Sequence, residues 1–307
     1  MNRFLSWPGA KFRQMESLMK VLPRKNYSLV VEPFFGTGAF TWEMISQHPM
    51  PHRHFIAAEK DRRLAHWWEC ILHRTDDMIA EMASVRDEFS KAGEDRDEFD
   101  RLRGTYNSLQ DLHAFDLRTS AMLWVLIYQS TNNLARFNSS GGYNQTWGKG
   151  RKVPDPKVIF DADSRNMLET FREGHSHPYL ISDFRDVIYG VDHYIHNGGK
   201  PENCIVYLDP PYIVRTETYQ RGVWGLDDEN KMWEWCREMD ELAIPWIMTN
   251  YLRKDDTVSG KIVEHPHIEE IEKNWKCVPL DRKLDARPKG TGTMAEEVII
   301  LGRCLEA

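Results

Sequence analysis

The sequence contains few cysteines and no long apolar run. Its five cysteines are scattered over 307 residues and none forms a Cys-x-x-Cys pair. This argues against a disulfide scaffold and a cysteine zinc site, and it predicts reduced thiols in a cytoplasmic protein. No stretch approaches the roughly 20 apolar residues that span a bilayer, and residues 1–9 lack the apolar core of a signal peptide. We therefore expect no membrane partner.

An excess of positive charge is also missing. Lys and Arg number 40 against 47 Asp and Glu, which gives a net charge of −7, so the whole chain has no nucleic-acid signature. Residues 131–157 differ, because they are rich in Asn, Ser and Gly and hold five basic residues against one acidic residue. A contact with a polyanion is therefore expected in that segment.

What is present is the pattern of an α/β fold. Five short apolar runs predict strands of a covered, largely parallel sheet, at residues 29–34, 55–59, 204–208, 246–249 and 298–301. Helical patterns at residues 15–22, 41–46 and 228–242 are typical of βαβ units. The interval 62–182 contains helical stretches instead, including a buried helix over 116–129. We expect a doubly wound α/β sheet with a helical, loop-rich insertion.

A glycine turn follows the first predicted strand. In Phe35-Gly36-Thr37-Gly38 the glycines allow a ligand to approach the backbone, and the following helix offers free N–H groups. Alone, the turn fits a packing role equally well. Glu59 ends the second predicted strand, where a carboxylate can accept hydrogen bonds from ribose hydroxyls. A solvated charge at a strand end is the alternative.

The segment Asp209-Pro210-Pro211-Tyr212 follows a third predicted strand. The prolines end the strand and stiffen its exit, so Asp209 is expected at the sheet edge where open α/β folds bind ligands. A carboxylate and a rigid carbonyl suit an aromatic amino group, whose lone pair is delocalised into its ring. An aromatic side chain beside them can stack an extruded base. Trp224, further along the chain in a glycine-bracketed loop, is a candidate lid over that base or over the DNA.

Together these segments resemble one family. The motif at Asp209 is similar to the Asp-Pro-Pro-Tyr motif of adenine amino-methyltransferases, and the order of parts resembles the Dam-like (D12 class, alpha-group) DNA adenine-N6 methyltransferases. Trp7-Pro8-Gly9-Ala10-Lys11 stands where that family has Trp-x-Gly-Gly-Lys. Residues 136–148 resemble its Arg-(Phe/Tyr)-Asn…Gly-x-(Phe/Tyr)-Asn-x-x-(Phe/Trp)-Gly stretch. The resemblance runs from Trp7 to about Leu301 and implies a Rossmann-like methyltransferase sheet. It also implies S-adenosylmethionine as cofactor, S-adenosylhomocysteine as product, double-stranded DNA as partner and no metal.

The resemblance gives each matching residue a role. The implied cofactor residues are Trp7, Lys11, Phe35, Gly36, Gly38, Glu59, Asp183, Phe184 and Asp209. Among them, Glu59 would bind the ribose, Asp183 the adenine and Lys11 the carboxylate of the cofactor. The implied catalytic residues are Asp209, Pro210 and Tyr212, and the candidates for DNA contact are Arg136, Asn138, Asn144 and Lys149. The implied domains are a catalytic one, residues 1–61 and 178–307, and a target-recognition one, residues 62–177.

Three alternatives stay open at this point. The same chemistry fits cytosine N4 in DNA or adenine in RNA, and a catalytically silent homologue would bind DNA or a protein. The presence of Lys11, Gly36, Gly38, Asp209 and Tyr212 argues against a silent homologue, because an inactive protein has no need to keep them. The recognition sequence, the oligomeric state and the biological role (restriction-modification, phage or housekeeping) do not follow from the sequence.

Overall fold

The computed structural model describes residues 4–7, 9–50, 52–109, 116–174, 180, 183–215, 224–255, 261–280 and 295–305. Its helices are α1 (Met15–Val21), α2 (Ala39–Gln47), α3 (Arg62–His73), α4 (Thr75–Lys91), α5 (Arg96–Leu109), α6 (Leu117–Gln129), α7 (Pro156–Ile159), α8 (Ala162–Gly174), α9 (Phe184–His196), α10 (Leu226–Glu241) and α11 (Ile268–Asn274). Its strands are β1 (Leu29–Glu32), β2 (His54–Ala57), β3 (Cys204–Leu208), β4 (Trp246–Asp255), β5 (Ile262–Glu264), β6 (Lys276–Pro279) and β7 (Ala295–Leu301). Among the described residues, no helix combines the length and the apolar character that a bilayer crossing requires.

The strands form a seven-stranded sheet in the order β2-β1-β3-β4-β7-β6, with β5 paired to the end of β4. The pairs β1–β2, β1–β3 and β3–β4 are parallel, whereas β7 and β5 pair antiparallel with β4, and β6 with β7. The predicted α/β class with a mostly parallel sheet is therefore confirmed. Strand order reverses between β1 and β3, and in such sheets ligands bind at the carboxyl ends next to the reversal.

The strand ends differ from the predicted ones for local reasons. β1 ends at Glu32, two residues early, because Pro33 has no N–H to continue the ladder. β3 has the predicted bounds. β5 and β6 were missed, since neither presents a buried apolar run: all three residues of β5 are exposed.

The chain divides into two compact units. Unit 1 comprises Met1–Lys11, Phe35–Pro49 and Ala58–Asp183, and unit 2 comprises Phe12–Phe34, Met50–Ala57 and Phe184–Ala307. Unit 1 contains α2 to α8, whereas unit 2 contains the sheet with α1, α9, α10 and α11. The functional domain boundaries expected from the sequence stay a prediction.

Each unit has its own apolar core. In unit 1 the predicted buried helix is confirmed, because α6 buries ten of its thirteen residues. Beside it, the rings of Phe35, Trp42, Trp68 and Phe171 pack at centroid distances of 5.3–5.9 Å. In unit 2 every residue of β1 and β3 is buried. A covered sheet of this kind holds its strand ends firmly, which is what a site built at those ends requires.

Candidate functional site

The predicted site residues are divided between the two units. Unit 1 contains Trp7, Lys11, Phe35, Gly36, Gly38, Glu59 and Asp183, together with Arg136, Asn138, Asn144 and Lys149. Unit 2 contains Phe184, Asp209, Pro210 and Tyr212. Each set is built by different elements of the fold.

The glycine turn in unit 1 has a backbone that only glycine adopts without strain. Gly36 has φ +52° and Gly38 has φ +67°, both in the left-handed region. A Cβ atom at Gly38 would lie 2.6 Å from Cζ of Phe35 and 2.6 Å from Nε1 of Trp42. Gly38 is also the residue that precedes α2, so the turn presents the first N–H groups of a helix without a side chain in the way.

Two tryptophans fix the carbonyl groups of this turn. Nε1 of Trp42 donates to the Thr37 carbonyl and Nε1 of Trp68 to the Gly36 carbonyl, each over 2.8 Å. Both indole rings are fully buried. Since a buried indole N–H needs an acceptor, the aromatic core holds the turn in one shape before any ligand arrives.

Glu59 is hydrogen-bonded to the glycine turn. Its Oε2 accepts from the Gly36 N–H over 2.9 Å, and its Oε1 accepts from the Asp61 N–H over 2.7 Å. Loss of solvation by burial raises the pKa of Glu59 to about 7, against the opposing effect of these hydrogen bonds. A carboxylate in this position can accept hydrogen bonds from ligand hydroxyl groups; its contact with a cofactor ribose stays a prediction.

The other cofactor candidates of unit 1 have different neighbours. Lys11 is buried, with Nζ 3.4 Å from the Gly9 carbonyl. The carboxylate of Asp183 forms an ion pair with Lys60 over 2.9 Å. A carboxylate can accept a hydrogen bond from an amino group. Its contact with the cofactor adenine stays a prediction.

Asp209 lies at the carboxyl end of β3, beside the first half of β4. The register pairs Leu208 with Met248, so the residues that follow them, Asp209 and Thr249, are neighbours. Oγ1 of Thr249 donates to Oδ1 of Asp209 over 2.9 Å, and the hydroxyl of Tyr207 lies 3.1 Å from the same Oγ1. Because Thr249 gives its one proton to Asp209, the Tyr207 hydroxyl is the donor to Thr249. This chain of hydroxyls orients the carboxylate.

Tyr212 supplies a second donor to the same oxygen. Its hydroxyl lies 2.9 Å from Oδ1 of Asp209 and 3.3 Å from Oε1 of Glu297. Burial and the two carboxylates raise the pKa of Tyr212 well above its ordinary value, so the phenol keeps its proton at neutral pH. Glu297 is in turn 3.2 Å from the hydroxyl of Tyr251, whose ring packs edge-on against Tyr212 at 4.9 Å.

Phe184 belongs to an aromatic cluster in unit 2 that contains Trp224. The rings of Phe34 and Phe184 stack at 5.4 Å, and Trp224 packs at 5.4 Å from each. Trp224 is 7% exposed, and its Nε1 donates to Oε2 of the fully buried Glu229 over 2.6 Å. The expectation of a lid was therefore wrong for this side chain, because the carboxylate anchors it inside the cluster.

Residues 136–144 of unit 1 form a hairpin that carries three of the four DNA candidates. Phe137 and Tyr143 pair antiparallel, and Arg136 is exposed. Oδ1 of Asn138 accepts from the N–H groups of Ser140 and Gly142 over 3.1 and 2.8 Å, so this oxygen shapes the turn of the hairpin. Asn144 is partly buried, and Lys149, which follows the hairpin, is exposed. Their contacts with DNA stay predictions.

The sequence missed residues that orient the predicted ones. Thr249 was part of a predicted strand, and its only signal was a hydroxyl at that strand's end. Asn107 in α5 donates to the Tyr143 carbonyl over 3.0 Å and accepts from its N–H over 2.7 Å. No local pattern links residues 36 positions apart, so such a clamp appears only in the folded chain.

The chain matches the sequence model of the D12 class N6 adenine-specific DNA methyltransferase family over residues 7–277. That span includes the glycine turn, Glu59, the hairpin and the segment at Asp209.

Known proteins of similar sequence are DNA methyltransferases. A type II methyltransferase, M.MjaIII of Methanocaldococcus jannaschii, is 24% identical over 87% of this chain and 90% of its own length. The DNA adenine methylase of Haemophilus influenzae is 23% identical over 97% of this chain and 93% of its own. The DNA adenine methylase of Salmonella typhi is 21% identical over 81% and 80%.

Proposed function

The chain belongs to the D12 class N6 adenine-specific DNA methyltransferase family, and on this basis we propose that Asp209, the Pro210 carbonyl and Tyr212 hold the target adenine of double-stranded DNA. Members of the family transfer a methyl group from S-adenosylmethionine to N6 of adenine in DNA, and that is the activity of this chain. The observation that carries the residue assignment is the pair of hydroxyl groups that converge on Oδ1 of Asp209.

The cofactor supplies an electrophilic methyl group on a sulfonium sulfur when bound. We assign cofactor binding to Trp7, Lys11, Phe35, Gly36, Gly38, Glu59, Asp183, Phe184 and Asp209. The turn at Gly36 and Gly38, which has no side chains at these positions, lets the cofactor approach the backbone closely. Ionised Glu59 accepts hydrogen bonds from the ribose hydroxyls of the cofactor. We assign Phe184, whose ring stacks on Phe34, to an apolar contact with its adenine.

In this proposal Asp209 orients and polarises the target amino group. Its carboxylate accepts a hydrogen bond from the N6 amino group of the target adenine, which moves electron density toward nitrogen and favours the attacking pyramidal form. Thr249 and Tyr212 hold the carboxylate in one orientation, so alignment is established before the base arrives. The ring of Tyr212 stacks on the extruded base, as aromatic side chains do on unpaired bases.

DNA approaches the exposed side chains of Arg136 and Lys149, while Asn138 and Asn144 contribute amide groups. Arginine and lysine bind phosphate or guanine, and asparagine pairs with adenine edges. We place the catalytic domain at residues 1–61 and 178–307 and the target-recognition domain at residues 62–177. The cytoplasm, where unmethylated DNA is accessible, is the proposed location.

The test is methyl transfer from labelled S-adenosylmethionine to unmethylated duplex DNA, with nucleosides identified by mass spectrometry. We expect N6-methyladenine from the wild-type chain and none from Asp209→Ala, with cofactor affinity by calorimetry changed less than turnover. N4-methylcytosine as the product would overturn the adenine assignment. Equal loss of cofactor affinity and turnover in Asp209→Ala would contradict the division of roles.

A further inference from the structure

Arg63, at the start of α3, links the Asp61 carboxylate, which lies close to Glu59, to the hairpin 136–144. It lies two residues after Asp61, whose N–H donates to Glu59 over 2.7 Å. The guanidinium binds the Asp61 carboxylate as a fork, with Nε 2.9 Å from Oδ1 and Nη2 2.7 Å from Oδ2. A two-pronged contact of this kind fixes the direction of the side chain.

The third nitrogen of the Arg63 guanidinium, Nη1, contacts the hairpin. Nη1 of Arg63 donates to the Gly141 carbonyl over 3.1 Å, and the guanidinium carbon lies 3.5 Å from the centre of the Phe137 ring. The plane of an arginine packs well on an aromatic face. Arg63 therefore holds the turn of the hairpin through a carbonyl and one of its strands through a ring.

A second contact links the same hairpin to a cofactor candidate. The ring of Trp7 lies 6.3 Å from that of Phe137, so Phe137 has Arg63 over its face and Trp7 nearby. The hairpin also contacts α5, through Asn107. The segment that carries Arg136 and Asn138 is thus fixed to the strand end that carries Glu59.

We propose that Arg63 is a positioning residue for DNA recognition, which sets the hairpin 136–144 relative to the Glu59–Asp61 strand end. This inference rests on the proposed function, because it concerns how the same enzyme holds its DNA. Arg63 acts through the hairpin rather than as a charge on phosphate. Loss of the Arg63 side chain therefore weakens DNA recognition, while the Glu59 carboxylate keeps its hydrogen bonds from the Gly36 and Asp61 N–H groups.

The variants are Arg63→Met, Arg63→Lys and Phe137→Leu. Arg165→Met is the matched control, since Arg165 on α8 also binds one carboxylate, of Asp76, and one carbonyl, of Phe160, at 2.6 and 3.1 Å. We measure KM for unmethylated linear plasmid DNA, filter binding of the same end-labelled DNA, and calorimetric affinity for S-adenosylmethionine at pH 8.5, where Glu59 is ionised.

We expect Arg63→Met, Arg63→Lys and Phe137→Leu each to raise KM and the filter-binding Kd for DNA about 10-fold or more, with cofactor affinity within about 2-fold of wild type. Arg165→Met should match wild type. The double variant Arg63→Met/Phe137→Leu should be no worse than the poorer single variant, because both changes release the same contact. If Arg63→Met has a much lower melting temperature than wild type, the proposal is tested with Arg63→Lys and Phe137→Leu instead.

Wild-type behaviour of Arg63→Lys would overturn the proposal, because charge alone would then suffice. So would independent, multiplicative effects of the two changes, or equal losses of cofactor and DNA affinity. A wild-type chain that makes no N6-methyladenine would count against the proposed function instead. Filter binding would still report on Arg63 in that case, since it requires no methyl transfer.

Discussion

Oγ1 of Thr249 donates its one proton to Oδ1 of Asp209 over 2.9 Å, across the parallel pair β3–β4. The contact joins a side chain inside a fully buried strand segment to the carboxylate proposed to hold the target amino group. The pairing of β3 with β4 therefore fixes the orientation of the Asp209 carboxylate.

Thr249→Val keeps the shape of the side chain and removes this donor. We expect kcat to fall by about 10- to 100-fold, the effect of losing a hydrogen bond to a charged group, with cofactor affinity unchanged. Thr249→Ser should restore most of the rate, because it keeps the hydroxyl. Steady-state kinetics and calorimetry on both variants provide the comparison, and a serine variant as slow as the valine one would point to packing.

Tyr212→Phe separates the hydroxyl of this residue from its ring. The variant loses a donor to the same carboxylate oxygen, at 2.9 Å, so we expect kcat to fall by about 10- to 100-fold as for Thr249→Val, while the ring still stacks on the base and KM for DNA changes little. Tyr212→Ala should raise KM as well. Tyr251→Phe is the comparator, because its hydroxyl reaches Glu297. A larger effect from Tyr251→Phe than from Tyr212→Phe would contradict the assignment.

Glu59→Gln should remove the pH dependence of S-adenosylmethionine affinity that we expect near pH 7 in the wild type. The ionised carboxylate is the better acceptor for ribose hydroxyls, and its pKa is raised to about 7. We therefore expect wild-type affinity for S-adenosylmethionine to increase as pH rises from 6 to 8. The glutamine variant should bind weakly at every pH. Calorimetry across this range provides the measurement, and a flat wild-type profile would contradict it.

The same group affects the stability of the cofactor-free protein in the opposite direction. The folded state holds the Glu59 proton more tightly than the unfolded chain does, so the stabilisation from that proton is complete below pH 4.5 and is lost as pH rises through about 7. The melting temperature of wild type relative to Glu59→Gln should accordingly decline over that window. Thermal melts of both proteins at matched pH give the difference, and an increase would have the wrong sign.

Gly38→Ala should damage both stability and cofactor binding. A left-handed backbone costs a non-glycine residue about 1–2 kcal/mol, and the new Cβ would also approach Phe35 and Trp42 to 2.6 Å. Gly150→Ala isolates the first effect, because φ there is +77° and nothing lies within 4 Å of the added atom. Urea unfolding should show a larger loss for Gly38→Ala. Equal losses would mean that the close approach has no cost.

The sequence predicted the elements that depend on local pattern. Strand β3 and helix α6 have buried apolar runs, and the glycine turn has residues that its backbone requires. The segment at Asp209 was placed correctly at a strand's carboxyl end because two prolines stop the ladder there. In these cases the cause of the structure lies within a few residues of the chain.

Features made by distant residues did not follow from the sequence. Thr249 reaches Asp209 only through strand register, and Arg63 reaches Gly141 across 78 positions. The burial of Trp224 depends on the ring of Phe34, far earlier in the chain. Short exposed strands such as β5 were missed because they lack an apolar period. Sequence reasoning therefore offered candidates for ligand contact, which stay predictions, and missed the residues that hold those candidates in place.

Strand β4 pairs in parallel with β3 from Trp246 to Met248 and antiparallel with β7 from Ile247 onward, with Thr249 opposite Ile299 and Tyr251 opposite Glu297. Amide protons in such a strand exchange with solvent only when the sheet itself opens, which makes them among the slowest in a protein. Thr249 and Tyr251 stand on this strand two residues apart, hence on the same face. The hydroxyl that orients Asp209 and the tyrosine beside Tyr212 therefore lie on the same paired strand. We expect the sheet to open much less often than the enzyme turns over, so the folded sheet sets the orientation of the Asp209 carboxylate and substrate binding does not.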